Sequence, residues 1–200
     1  MQTKQSFITH PFVFLDNWLD DADLEQLKSY CLKEGTEDAQ LVDVNGNISV
    51  DTTIRKSKSK LHFVTDENRH FFEKIRDAAV LVNSKSYNYD LLGFDYMQYA
   101  EYHGTDNGFY NYHSDMILGE NLPKGPAYPR KLSISIVLSD PSEYEGGDLE
   151  FMWGSKEILK VEQPKGRLVA FPSWLMHRVT PVTSGVRRSI VVWCIGPMFK

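Results

Sequence analysis

Two side chains able to bind a metal stand one residue apart in Tyr110-Asn111-Tyr112-His113-Ser114-Asp115-Met116-Ile117. The stretch reads as a strand, and alternate side chains of an extended chain share a face, so His113 and Asp115 are expected to point the same way. An imidazole and a carboxylate then supply two ligands. A third must come from far along the chain, and His177 is the best candidate. Two His and one carboxylate around a cation, with the opposite side open, is the arrangement expected of a non-haem Fe(II) oxygenase site. A lone His near a strand is more often a hydrogen-bonded structural residue, and His10, His62, His70 and His103 are read that way.

Beyond His177 comes Arg187, opening the run Arg187-Arg188-Ser189-Ile190-Val191-Val192-Trp193. By alternation Arg187, Ser189, Val191 and Trp193 share one face. A guanidinium turned into a mainly apolar barrel is costly without an anion, and its planar fork suits a carboxylate. That carboxylate can be an internal Asp or Glu, or it can belong to a bound ligand. Arg188, on the other face, is read as surface charge.

These residues need a scaffold that brings distant strands together. Phe12-Val13-Phe14-Leu15 is read as an opening strand. Asp20 or Asp21 caps a helix with Leu24, Leu27, Cys31 and Leu32 on one face, and Gly35 stops it. From Thr36 to Lys60 the chain is polar and reads as a long loop, with Asn45-Gly46 marking a hairpin tip at 43–48. Within it, Arg55-Lys56-Ser57-Lys58-Ser59-Lys60 is read first as solvated surface and second as a mobile segment steering an acidic or polymeric substrate. Leu61 to Val64 returns to strand. Thr65 then caps a second helix with the apolar stripe Phe71, Phe72, Ile75, Ala78, Ala79 and Val82.

After Asn83 the pattern changes to short strands: Leu91 to Tyr102, His113 to Leu118, Lys131 to Leu138, Leu149 to Trp153, Arg167 to Phe171, Met176 to Val179 and Arg188 to Ile195. Gly, Pro and Asn clusters separate them, among them Pro123 to Pro129 and Pro181 to Gly185. The expected fold is mainly β with flanking helices (α+β), a double-stranded β-helix or jelly-roll barrel buttressed by N-terminal helices. One domain spans 1–200, with 1–83 as helical support and mobile loop and 84–200 as the barrel.

Composition narrows the function. The chain has 200 residues, is 42% hydrophobic and carries a formal net charge of −5. That is enough for one core, and it argues against nucleic acid as the main partner. No apolar run approaches a membrane span, and the first residues lack the apolar stretch of a secretory signal. Cys31 and Cys194, far apart, suggest neither a disulfide framework nor a thiolate metal site, and a cytoplasmic location, or host cytoplasm for a viral protein, is expected.

The motifs taken together resemble the iron- and 2-oxoglutarate-dependent dioxygenases, in particular the prolyl 4-hydroxylase-like branch. Gln98-Tyr99-Ala100-Glu101-Tyr102, a glycine-bearing loop, and Tyr110 to Asp115 are similar to the strand leading into that branch's first two iron ligands. Arg130 to Ser139 and then Glu145-Gly146-Gly147-Asp148 are similar to its next strand and double-glycine turn. His177-Arg178-Val179, Pro181-Val182, Gly185, Arg187 and Trp193 are similar to its distal motif. The resemblance runs from about Phe12 to Trp193. It implies that His113, Asp115 and His177 hold Fe(II), that Arg187 binds the distal carboxylate of 2-oxoglutarate with help from Tyr102, and that Trp193 lines the pocket. Arg130 matches an arginine at the substrate mouth of related enzymes, or else is a strand-end surface charge. Val137 stands where some prolyl hydroxylases have an inward Tyr. The implied reaction hydroxylates an unactivated C–H bond, with a proline-containing peptide or protein as substrate. O2 is the second co-substrate, and L-ascorbate is a further candidate cofactor. A different side chain, a small molecule, or a silent binding module of the same fold are the alternatives. No membrane partner is expected, and the protein is expected to be a monomer or weak homodimer.

Overall fold

The computed structural model describes residues 11–42, 47–116, 128–154 and 157–198. In chain order the elements are β1 (Val13–Leu15), α1 (Asp21–Lys33), β2 (Glu37–Asp38), β3 (Leu41–Val42), β4 (Ile48–Ser49), β5 (Arg55–Lys56), β6 (Lys58–His62) and α2 (Arg69–Val82). A π-helical turn at Asn83–Tyr87 leads into β7 (Gly93–His103), β8 (Phe109–His113), β9 (Arg130–Val137), β10 (Tyr144–Gly146), β11 (Leu149–Trp153), β12 (Glu157–Val161), β13 (Leu168–Pro172), β14 (His177–Val179) and β15 (Val182–Ile195).

Two antiparallel sheets form the barrel. The larger runs β1-β13-β9-β15-β7-β6-β2, with β10 added along β15. The smaller runs β12-β11-β14-β8-β5, and among the described residues β3 pairs only with β4. The fold is mainly β with two helices, a jelly roll. Alternation explains how one sheet serves two environments. On β7, β9 and β15, the side chains of Met97, Tyr99, Ile134, Ile136, Ile190 and Val192 pack with the buried stripes of α1 and α2 in the main core. Their neighbours Gln98, Ala100, Tyr102, Ser135, Ser189, Val191 and Trp193 face the barrel interior. A second cluster between the sheets, built on Leu149, Phe151, Val169, Phe171 and Leu175, closes the far side of that interior.

Both helices begin and bury much as their patterns require. Asp20 accepts a hydrogen bond from the Asp23 amide in a capping box, and Gly35 adopts φ +71° just past the helix end. Leu24, Leu27 and Cys31 are buried, but Leu32 is 45% exposed and does not belong to the apolar face. The second helix starts at Asn68 rather than Thr65, because the Asn68 side chain accepts from the Thr65 amide and donates to Phe63 O, holding the approach in a turn. All six residues of its expected stripe are buried.

Four other expectations change. The stretch 36–60 is not a loop: β5 joins the smaller sheet beside β8, and β6 joins the larger beside β7. Of the tip expected at 43–48, residues 43–46 lie outside the described residues and Ile48 belongs to β4, with Leu41 paired to Ser49 and Val42 to Ile48. β8 ends at His113, where a strand to Leu118 was expected; 117–127 lie outside the described residues. β10 and β12 were not anticipated, and β15 begins at Val182, inside the expected spacer.

Burial separates the two helical leucine-type positions in a measurable way. Ile75→Ala should cost roughly 2–5 kcal/mol in urea unfolding, whereas Leu32→Ala should stay within about 0.5 kcal/mol.

Candidate active site

The two histidines meet by strand register. β14 pairs antiparallel with β8, and His177 stands directly opposite His113. The imidazoles are 4.2 Å apart between centroids. Each ring is turned by its own chain. His113 Nδ1 donates to Asn111 O at 2.8 Å, and His177 Nδ1 donates to Leu175 O at 2.8 Å. A carbonyl can only accept, so both Nδ1 atoms carry a proton, which leaves Nε2 as the ring nitrogen turned toward a metal.

Asp115 arrives by a turn, not by strand alternation. Beyond β8, Ser114 Oγ donates to Ser173 O at 3.0 Å and Met116 N donates to the same carbonyl at 2.9 Å, which pins this tripeptide against the end of β13. The carboxylate then lies 3.6 Å from His113 Nε2 and 3.5 Å from His177 Nε2. The potential ligand atoms of the three residues all lie within 4.8 Å of one another. Ser133 Oγ donates to Asp115 Oδ2 at 2.7 Å and contacts Ser173 Oγ at 2.9 Å. Burial opposes charge on Asp115, but the imidazoles and the Ser133 hydroxyl outweigh it and hold the carboxyl far below the ordinary range. Burial and the neighbouring His113 push the His177 imidazole down to about 4, against the pull of Asp115. It is therefore neutral at pH 7. Two lone pairs and one carboxylate, all on one side, are the donor set of an open divalent site.

Arg187 shares the cavity with these three residues. It is 1% exposed, and no carboxylate pairs with it among the described residues. Nη1 donates to Ser189 Oγ at 3.0 Å and Nη2 to Gln163 Oε1 at 2.9 Å, while Nε has no partner. An internal Asp or Glu, one of the two partners the pattern allowed, is thus not found there. Tyr102 stands opposite Arg187 on β7, with its ring 5.5 Å from the guanidinium. Trp193 lines the same cavity, and its buried Nε1 also lacks a partner. Gly147, at φ +67°, makes room for this arrangement: a Cβ there would come within 2.7 Å of Arg187 Cδ. These unpaired donors around a buried cation fit a small dicarboxylate such as 2-oxoglutarate.

Other expected positions fall elsewhere. Arg188 is not simply surface charge; it pairs with Glu101 at 3.3 Å and Glu143 at 3.6 Å. Arg130 is not a free strand-end charge, and it is not among the residues lining the cavity. It is buried, donates to Asp95 at 3.0 and 2.8 Å and to Tyr96 Oη at 2.6 Å, and stacks 3.8 Å from the Trp193 ring. Val137 is buried on β9. His103 contacts Glu101, His70 stacks on Phe71 and His62 tilts against Tyr30, all away from the triad. Arg55 was missed: it lines the cavity and is 4% exposed. The available signal was the strict alternation of Arg55-Lys56-Ser57-Lys58, a strand pattern with an all-polar alphabet.

A jelly roll with an open His-Asp-His site and a buried, unpaired arginine defines a metal- and acid-binding oxygenase scaffold. Residues 97–195 match the family model of the 2OG-Fe(II) oxygenase superfamily. The barrel that carries the site therefore belongs to that superfamily, whose members use Fe(II), 2-oxoglutarate and O2. Among curated relatives, a PKHD-type hydroxylase of Aliarcobacter butzleri is 37% identical over 90 residues, 44% of this chain and 38% of the relative. The chain thus matches well under half the length of such relatives. The fold is similar to that of a Pseudomonas putida prolyl-4-hydroxylase, with TM-score 0.70, 19% identity and 95% of each chain covered. It is also similar to a Trichoplax adhaerens prolyl hydroxylase in complex with a hypoxia inducible factor peptide fragment. There the TM-score is 0.72, with 20% identity and coverage of 94% of this chain and 84% of that one.

The geometry makes Asp115 dependent on a side chain. His177→Ala should abolish Mn(II) binding in titration calorimetry while leaving the circular dichroism spectrum unchanged. Ser133→Ala should keep the site but weaken it by about 10–100-fold.

Proposed function

We propose that this protein is an Fe(II)- and 2-oxoglutarate-dependent dioxygenase that hydroxylates an unactivated C–H bond, with a prolyl residue of a peptide or protein as its substrate. The observation that carries the reading is Arg187, a buried cation with no carboxylate partner among the described residues, in the same cavity as His113, Asp115 and His177. A hydrolase on this barrel would have no use for such a group. The relatives named as PKHD-type and prolyl hydroxylases support the prolyl substrate.

In this reading His113 Nε2, His177 Nε2 and the Asp115 carboxylate hold the metal, and their braces keep the lone pairs aimed at one point. Arg187 and the Tyr102 hydroxyl hold the distal carboxylate of the keto acid in a charge-assisted clamp. Trp193, Val191 and Leu149 supply apolar wall and exclude water around the reacting carbon. When bound, iron, the keto acid and O2 would supply the oxidising chemistry, one oxygen atom of O2 entering the C–OH product and the other the succinate left as the keto acid loses carbon dioxide. L-ascorbate would serve as accessory reductant, and the setting is a reducing cytoplasm, in keeping with two buried free thiols. Strands β3 and β4, which among the described residues pair with each other and with neither large sheet, would close over the peptide.

Labelled 2-oxoglutarate should be converted to succinate when Fe(II) is added, with a gain of one oxygen on a proline-containing peptide. No conversion, coupled or uncoupled, would leave a silent binding module. Arg187→Ala should raise the KM for 2-oxoglutarate by a loss of about 2–5 kcal/mol, with the fold intact. If it unfolds the protein and spares the KM, the arginine is structural. Shortening the 41–49 segment should raise the peptide KM and spare metal binding.

A further inference from the structure

We infer that Arg55 is a second anion-binding group in the active-site pocket, and that the substrate carries a carboxylate close to its oxidised carbon. This rests on the dioxygenase reading above and deepens it.

Arg55 opens β5 at the edge of the smaller sheet, opposite Tyr110 of β8. Its guanidinium lies 4.8 Å from the Tyr110 ring centroid, and that ring stacks on His113 at 3.5 Å. The side chain is thus one aromatic layer away from a metal-binding imidazole. It is buried, yet no carboxylate pairs with it among the described residues. Its partners are neutral. Nε donates to Ser57 Oγ at 2.7 Å, while both Nη atoms share Gln98 Oε1 at 3.4 Å. Those last two bonds are long, and an approaching anion would replace them with shorter, charge-assisted ones.

Charge accounting of the cavity singles out this residue. Its lining holds one carboxylate, Asp115, and two guanidiniums, Arg55 and Arg187. Arg130 does not enter the sum, because Asp95 neutralises it. A divalent metal raises the surplus to three positive charges. A dianionic keto acid at Arg187 and the metal removes two of them. The one left over sits on Arg55, buried in the lining of the same cavity. Burying such a charge is unfavourable unless a ligand completes it. A carboxylate does so two-pronged, whereas a neutral substrate leaves the charge uncompensated.

That carboxylate has two sources: an acidic side chain flanking the target residue within a peptide, or the terminal carboxylate of a short peptide or free amino acid. Four probes separate them. The first pair is the blocked peptide Ala-Glu-Pro-Glu-Ala and its Gln counterpart. The second is Ala-Ala-Pro as free acid and as amide. Binding is measured by calorimetry on the protein loaded with Mn(II), with and without 2-oxoglutarate, so that no turnover is needed. One acidic probe should bind roughly tenfold more tightly than its neutral partner, the size of one charge-assisted bond. Arg55→Met keeps a long side chain over Tyr110 and should abolish the preference, while Arg55→Lys should retain most of it. Preference for the Glu peptide identifies an internal acidic site; preference for the free acid identifies a terminal one. Equal binding of acidic and neutral probes by the wild-type protein, or a preference that survives Arg55→Met, overturns the inference. Failure to bind 2-oxoglutarate would instead sink the dioxygenase reading, and the probe comparison without keto acid would still report on Arg55.

Discussion

The antiparallel register between β8 and β14 is the constraint on which the site depends. It sets His177 against His113 from opposite ends of the barrel sequence, and the rest of the architecture serves to hold those two short strands in place. On one side β11 and β12 continue the sheet; on the other β5 caps it. A slip of one residue in either strand would turn that strand's imidazole to the opposite face and part the pair. The Phe171 and Phe151 rings packed near His177, at 4.7 and 6.0 Å, fill the space such a slip would need.

Charge placement is the second organising feature. The larger sheet devotes its helix-facing side to a hydrocarbon core and its inner side to Ser, Gln, Tyr and Arg. Those polar groups are set among Leu149, Phe171, Val191 and Trp193, so the inner layer combines burial with ligand-binding groups, while the helix-facing layer is hydrocarbon throughout. Gly147 shows the cost of that combination. A left-handed residue without a side chain is placed where any Cβ would push the Arg187 stem aside.

Much of this was legible in the sequence, for identifiable reasons. β11 was readable to its ends because Leu149, Phe151 and Trp153 fall on alternate positions of a short run bounded by the Gly146-Gly147 and Gly154 signals. The shared face of Arg187, Ser189, Val191 and Trp193 followed from the same rule. His113 and Asp115 do converge as expected, but the strand ends at His113, and Asp115 is held in place by bonds from Ser114 Oγ and Met116 N to Ser173 O, a residue remote in sequence. The rule failed at Arg55 and at β12. Strand recognition depends on alternating hydrophobic contrast, which Arg55-Lys56 lacks for want of apolar residues and Glu157–Val161 lacks because Ile158 and Leu159 are adjacent. The pairing of Arg188 with Glu101 was hidden for another reason: it is set by neighbouring strands, and nothing local reports it.

The braces on the two imidazoles are main-chain carbonyls, each two residues upstream of its ring. No exchange of the side chains at Asn111 or Leu175 can delete them, because every amino acid carries a carbonyl. The histidine half of the centre is therefore buffered against sequence drift, and neighbouring positions can diverge while ring tautomer and aim persist. Asp115 has no such insurance: its orientation leans on a hydroxyl that a single nucleotide change can remove. Among divergent relatives, loss of metal should begin on the carboxylate side, with the paired imidazoles surviving as the last trace of the centre.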